Sequence, residues 1–209
     1  MAATGGLLLL FVLGHMAGNL KAYQGAEKFN AYAEFLRDFG APVFGHGQFL
    51  WLARVGLLVA VIVHILAAAQ LSRRSRLARP VGYKKTPHEE LTYASRTMRW
   101  GGVIILLFVI YHILHLTTGT VHANFVAGDA YRNLVLGFQS WPVAVAYMAA
   151  VVAIGLHLYH GVWSGFQTLG WDNPLYASYR RSIAGAIALV VVIGNLSFPI
   201  AVLTGVLGV

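Results

Sequence analysis

The sequence predicts an all-α integral membrane protein with five transmembrane helices, and three observations carry that prediction. Of the 209 residues, 58% are hydrophobic and only 11% are charged, against about a quarter charged in an ordinary soluble domain. Five apolar runs are each long enough to cross a bilayer core, for which about 20 residues suffice. Trp51, Trp100, Trp141, Trp163 and Trp171 all fall near the ends of those runs, where interfacial aromatic belts belong. No internal repeat or low-complexity segment divides the chain, so residues 1–209 read as a single transmembrane domain.

The first span covers about residues 1–20. It has no basic residues ahead of its apolar core and no small-residue cleavage site after it, so it reads as a retained helix rather than a secretory signal. It opens at Met1 without a polar lead-in, which suits a natural N-terminus a few residues longer. The following connection contains GAEKFNAYAEFLRDFG, whose Phe29, Tyr32, Phe35, Leu36 and Phe39 recur at helical spacing. A short amphipathic helix lying on the membrane surface would bury that face. The second span covers about 49–71 and the third about 100–120. The connection after the third, VHANFVAGDAYRNLVLGFQSWP, resembles the first and ends in Trp141-Pro142, with proline suited to a first helical turn. The fourth span covers about 141–170 and the fifth about 183–209.

Charge orients these spans. The net charge is +8, and its distribution explains it better than a nucleic-acid partner does. The 72–99 connection carries Arg73, Arg74, Arg76, Arg79, Lys84, Lys85, Arg96 and Arg99, whereas 21–48 balances Lys21, Lys28 and Arg37 against Glu27, Glu34 and Asp38. Basic connections stay in the cytoplasm. The 72–99 connection is therefore inside, along with Tyr179-Arg180-Arg181, and 21–48 is outside. The N-terminus is then cytoplasmic and the C-terminus external. With no cysteine, the chain itself excludes disulfides, covalently attached c-type haem and cysteine-bound iron–sulfur clusters.

Six of the nine histidines fall inside spans: His15 on the first, His64 on the second, His112 and His115 on the third, His157 and His160 on the fourth. Polar groups at membrane depth are costly and point to function. Spans one and three run outward with their histidines late, so His15 lies near the depth of His112 and His115. Spans two and four run inward, which puts His64 near the depth of His157 and His160. Neutral imidazole is a good axial ligand for haem iron, and bis-imidazole ligation suits electron transfer. Two haems in a four-helix core would make an electron wire between the membrane faces. Gly14, Gly18, Gly155 and Gly161 beside the ligands would admit a flat macrocycle, though small residues equally serve helix packing. An interhelical hydrogen bond is the ordinary account of one membrane histidine, but four helices with histidines at two matched depths fit it poorly. A proton or metal-ion path is the rival. Such paths recruit acidic residues at depth, and here Glu27, Glu34, Asp38, Glu89, Glu90, Asp129 and Asp172 all lie in connections or at span ends.

Several stretches, in their order and spacing, resemble a known family. They are GHMAGNL in the first span followed by GAEKFNAYAEFL, IVHIL in the second, MRWGG opening the third with FVIYHIL further along, and LHLYHGVWSG in the fourth. Over nearly its whole length the chain resembles the single-subunit, five-helix, dihaem cytochrome b membrane anchors of succinate:menaquinone oxidoreductases and related fumarate reductases. The resemblance implies a four-helix haem-binding core plus a fifth helix, with one ligand from each of the first four spans. The family's third ligand follows an aromatic residue, here Tyr111, so His112 matches it. The fourth stands four residues before the glycine of G-x-W, here Gly161 and Trp163, which selects His157. The implied pairs are His15 with His112 for an outer haem b and His64 with His157 for an inner one. His115 and His160 are i,i+3 neighbours on nearby helix faces, candidates for propionate, quinone or backbone partners.

Arg99 matches a basic residue at the start of the family's third helix, a candidate for propionate or quinone contact that a positive-inside anchor explains nearly as well. Arg54 lies well inside the second span, where an unpaired arginine costs about 2.5 kcal/mol or more. The outer haem propionate is its natural partner, and snorkelling to the surface is the alternative. Where some dihaem members carry a glutamate near the fourth ligand, this chain has Ile154, Gly155 and Leu156. Without that proton route, electron transfer across the membrane stays coupled to its potential, at about 2.3 kcal/mol per charge per 100 mV. The resemblance further implies flavoprotein and iron–sulfur partner subunits, menaquinone as substrate and a bacterial cytoplasmic membrane. A fumarate reductase working in reverse shares the architecture. A hydrogenase or formate dehydrogenase type of cytochrome b anchor would distribute its ligands differently.

Overall fold

A computed structural model of the chain describes residues 1–78, 93–171, 173 and 177–209, with the backbone alone for 93–97 and 177–178. The described residues form seven helices and no strand: α1 (Ala2–Asn19), α2 (Ala26–Asp38), α3 (Gln48–Leu77), α4 (Tyr93–His112), α5 (Ala130–Gln139), α6 (Trp141–Thr168) and α7 (Ala177–Leu203). Five segments are long and apolar enough to cross a membrane: Ala2–Gln24, Gln48–Leu77, Met98–Thr117, Trp141–Thr168 and Tyr179–Leu203. Leu58, Leu66, Leu107, Leu189 and Ile193 stand exposed along them. Such side chains are at home against lipid. The predicted fold class is the observed one.

α3, α4 and α7 each outrun the predicted span at one end, and α7 stops short at the other, ending at Leu203 rather than 209. α3 continues to Leu77, so Arg73, Arg74 and Arg76 ride on its last turns instead of a loop, where cations complement the helix dipole. At 1.5 Å per residue its 30 residues extend about 45 Å, against about 30 Å of hydrocarbon. α7 begins at Ala177 rather than 183 and takes in Arg180 and Arg181. The predicted 72–99 connection narrows accordingly, because Arg99 sits in α4. Arg79, Lys84, Lys85, Glu89, Glu90 and Asp172, and the side chain of Arg96, lie outside the described residues.

After α1 a 3-10 turn, Leu20–Gln24, leads to Gly25 at φ +93° and then into α2; that positive φ suits glycine. The predicted amphipathic face of α2 divides. Phe29 is buried against Tyr131, while Phe35 and Phe39 remain exposed and meet with their ring planes at 78°. α2 is pinned to the start of α5 by Asn30, whose amide donates to Asp129 Oδ1 (2.9 Å) and whose Oδ1 accepts from the Tyr131 N–H (3.0 Å). Asp129 caps α5 by accepting from the Arg132 N–H at 3.0 Å. That contact first, then Asn30, holds its carboxyl below the usual carboxylate range.

The densest core lies where α5, α6 and α7 meet: Val135, Phe138, Tyr147, Phe198, Ala201 and Val202. A third of the apolar stretch of α7 is buried (33%), against 6% in α3 and in α4. The one span without histidines packs along α6, of whose apolar stretch 28% is buried and which also meets α1, α4 and α5. Gly194 of α7 meets Met16 of α1, and Gly155 of α6 meets Val192 of α7, so closely that neither glycine has room for a Cβ.

Candidate functional site

The bundle brings the intramembrane histidines together in two pairs. His15 of α1 meets His112 of α4, with ring centres 5.8 Å apart and planes at 88°. His64 of α3 meets His157 of α6 with centres 6.4 Å apart at 61°. The pairs occupy different levels. A Cβ on Gly102 of α4 would lie 3.9 Å from His157 Cε1, and from Gly102 to His112 along the same helix is about 15 Å at 1.5 Å per residue. On α1 the order is the same, with Gly5 beside His64 and His15 further along.

An imidazole nitrogen lies roughly 1 Å from its ring centre, so the nitrogens of His64 and His157 are about 4 Å apart at closest, beyond hydrogen-bond reach. Nδ1 of His112 and Nδ1 of His157, like that of His160, are buried with no hydrogen-bond partner among the described residues. An unmet buried polar group costs about 1–3 kcal/mol. Interhelical hydrogen bonding therefore does not account for the pairs. Metal–imidazole bonds of about 2 Å on both sides of one ion would put ring centres about 6 Å apart, and both pairs fall at that spacing. The donor set, neutral imidazoles in an apolar interior, also suits haem iron.

His115 goes elsewhere. Past His112 the helix widens into a π turn, Ile113–Thr117, closed by Thr118 N–H to Ile113 C=O at 2.9 Å; such turns insert an extra residue and re-aim side chains. His115 is buried, its Nδ1 lies 3.0 Å from the Tyr147 hydroxyl, and its ring stacks between Tyr111 (5.4 Å) and His122 (4.8 Å). His122 in turn accepts from the Asn124 N–H at Nδ1 (3.2 Å) and donates from Nε2 to the Asn133 carbonyl (2.9 Å). The side chain of Asn133 closes the loop through Val126 N–H and C=O. Sequence reasoning missed Tyr147, His122 and Asn133. The available signals were a tyrosine within an apolar span and a histidine just beyond one.

His160 packs against Trp163 (5.6 Å), which also lies under the Arg181 guanidinium (5.5 Å). Trp51, Trp100, Trp141 and Trp171 are exposed near helix ends, as an interfacial belt requires. Trp163 differs in being half-buried between His160 and Arg181. Arg54 stacks over Trp51 at 4.9 Å. Arg99 is exposed. Of the four glycines predicted to admit a macrocycle, Gly155 faces Val192 and Gly18 faces the Tyr32 ring, whereas a Cβ on Gly14 would meet nothing within 4 Å and one on Gly161 only Met98 Cε at 4.0 Å. Gly155 and Gly18 thus serve packing, because protein side chains already fill the space beside them.

Five membrane-length helices with paired histidines in their interior define a multi-pass membrane protein of the helical, histidine-bearing class. The family model for the succinate dehydrogenase/fumarate reductase transmembrane subunit matches residues 75–194, and the chain belongs to that family. It is thus a membrane subunit of an oxidoreductase complex and associates with other subunits of that complex. The matched segment includes His112, His115, His157 and His160, while His15 and His64 precede it. Searches of curated proteins and of solved structures return no match to the chain.

Proposed function

We propose that this subunit is a dihaem cytochrome b anchor that carries electrons between the iron–sulfur subunit of its complex and menaquinone. His15 and His112 would be the axial ligands of one haem b, and His64 and His157 those of the other. The observation that carries this reading is the meeting of those four side chains, from four helices, as two pairs at two levels. Bound there, haem b would supply a one-electron carrier with both axial positions closed to oxygen. The chain's own part is to hold neutral imidazoles in facing positions and to exclude water with the apolar walls of α1, α3, α4 and α6.

The basic end of α3 and the start of α7 would face the cytoplasm by the positive-inside rule, with the N-terminus inside and the C-terminus outside a bacterial cytoplasmic membrane. The flavoprotein and iron–sulfur subunits would dock at that end, nearer the His64–His157 level. His160, Trp163, Arg181 and Arg99 lie toward the same end and are candidates for quinone or propionate contacts. Succinate oxidation and fumarate reduction use the same arrangement in opposite directions.

A dithionite-reduced minus oxidised spectrum with haem quantification on the purified complex tests the reading. Two b haems per chain are expected. No b-type signal overturns the wire, and a single haem per chain overturns the two-pair assignment.

A further inference from the structure

The side chain of Thr4, one turn into α1, lies between two partners. Its Oγ1 donates to the Met1 carbonyl at 3.1 Å and stands 3.1 Å from His64 Nδ1. A hydroxyl has one proton. With that proton directed to Met1, Oγ1 is left as an acceptor, and the bond to the ring requires Nδ1 of His64 to carry the hydrogen. The lone pair of the neutral imidazole is then on Nε2. The ring also rests against the neighbouring backbone, since a Cβ on Gly5 would lie 3.4 Å from His64 Cε1 and 3.8 Å from Nδ1. The first turn of α1 thus meets a side chain on α3 and, with the hydroxyl proton on the Met1 carbonyl, selects its tautomer. Its partner His157 has no equivalent, because its Nδ1 is buried without a hydrogen-bond partner among the described residues.

We propose that Thr4 is a positioning residue for His64, holding it as the Nδ1–H tautomer that offers Nε2 to iron and lowering the midpoint potential of the haem at that level; this rests on the haem reading above. An outer partner that accepts the N–H of a metal-bound imidazole raises the basicity of the ligand. A more basic ligand favours the ferric state. The hydroxyl therefore makes the His64–His157 level harder to reduce than its bare imidazoles would, and it does so from a residue that is not itself a ligand.

The test uses the intact complex carrying Thr4→Val, which keeps the shape and removes the hydroxyl, beside Thr4→Ser, which keeps the hydroxyl. Redox titration and low-temperature EPR of the ferric haems are the readouts. In T4V one midpoint moves upward and the g-values of that haem change, the other haem keeps both, and T4S reproduces the wild type. Loss of one haem in T4V with its retention in T4S supports the same role in a stronger form. T4V indistinguishable from wild type, both haems shifting together, or T4S behaving as T4V overturns the role of Thr4. Absence of b haem from the wild-type complex, or its full retention in His64→Ala, overturns the haem reading instead, so the two failures are told apart.

Discussion

The imidazole of His157 stands 6.4 Å, centre to centre, from that of His64, while His160, three residues on, turns to Trp163. Helical geometry separates their directions, since residues at i and i+3 share a face without pointing at the same neighbour. His157→Ala in the purified complex is expected to remove the haem of that level, and His160→Ala to leave two haems per chain. Haem quantification checks both, and the reverse pattern would overturn the choice of ligand on α6.

Tyr147→Phe removes the hydroxyl that meets His115 Nδ1 at 3.0 Å and keeps the ring that lies 5.9 Å from His112. His115 is 3% exposed, so water does not replace the lost partner. A destabilisation of about 1–3 kcal/mol follows, read as a lower unfolding temperature in detergent. Both haem bands should persist, because the ring packing is unchanged; their loss would place Tyr147 in the haem site rather than in the fold.

Gly155→Ala sets a Cβ into Val192, a β-branched side chain with little rotamer freedom. Overpacking of that kind costs about 1–3 kcal/mol, and it falls on the α6–α7 contact at the centre of the bundle. Gly56→Ala on α3 meets nothing within 4 Å and should stabilise by up to about 1 kcal/mol, as removal of a helical glycine does. Thermal unfolding of the two variants should move in opposite directions.

Asp129 joins α2 to α5, and its contribution depends on pH. Its carboxyl is held below the ordinary range, first by the Arg132 N–H and then by Asn30. A depressed carboxylate contributes stability that is full above its unfolded pKa, about 3.9, and lost as pH falls through the lower folded value. Asp129→Ala should therefore cost about 1 kcal/mol, the usual worth of an N-cap, at neutral pH. The difference from wild type should vanish at strongly acid pH. Unfolding measured across that range checks the sign.

Much of the bundle was legible because bilayer crossing imposes a length and a polarity on each span. The five apolar runs mark the spans to within a few residues on the membrane side. They do not mark helix ends, since arginines at the ends of α3 and α7 continue a helix into the interface without being apolar. That His15 shares a depth with His112 and His115, and His64 with His157 and His160, was also within reach, because depth along a span follows from position in the chain; the choice of His112 and His157 came from the resemblance. For Gly18 and Gly155 the sequence left macrocycle contact and helix packing both open. A small residue on a span says only that something comes close, and here it is Tyr32 and Val192.

The sequence by itself determined that this chain carries five segments long and apolar enough to cross a membrane and that four of them bring histidines to two depths; hydrophobic length and helical rise are local properties that a linear order encodes. Only the tertiary structure decided which way each ring turns. The π turn after His112 sends His115 to Tyr147 and His122, the first turn of α1 reaches across to His64, and α7 packs along α6. Those outcomes depend on contacts between residues far apart in the chain, where van der Waals fit and the pairing of buried polar atoms, rather than local periodicity, select the arrangement.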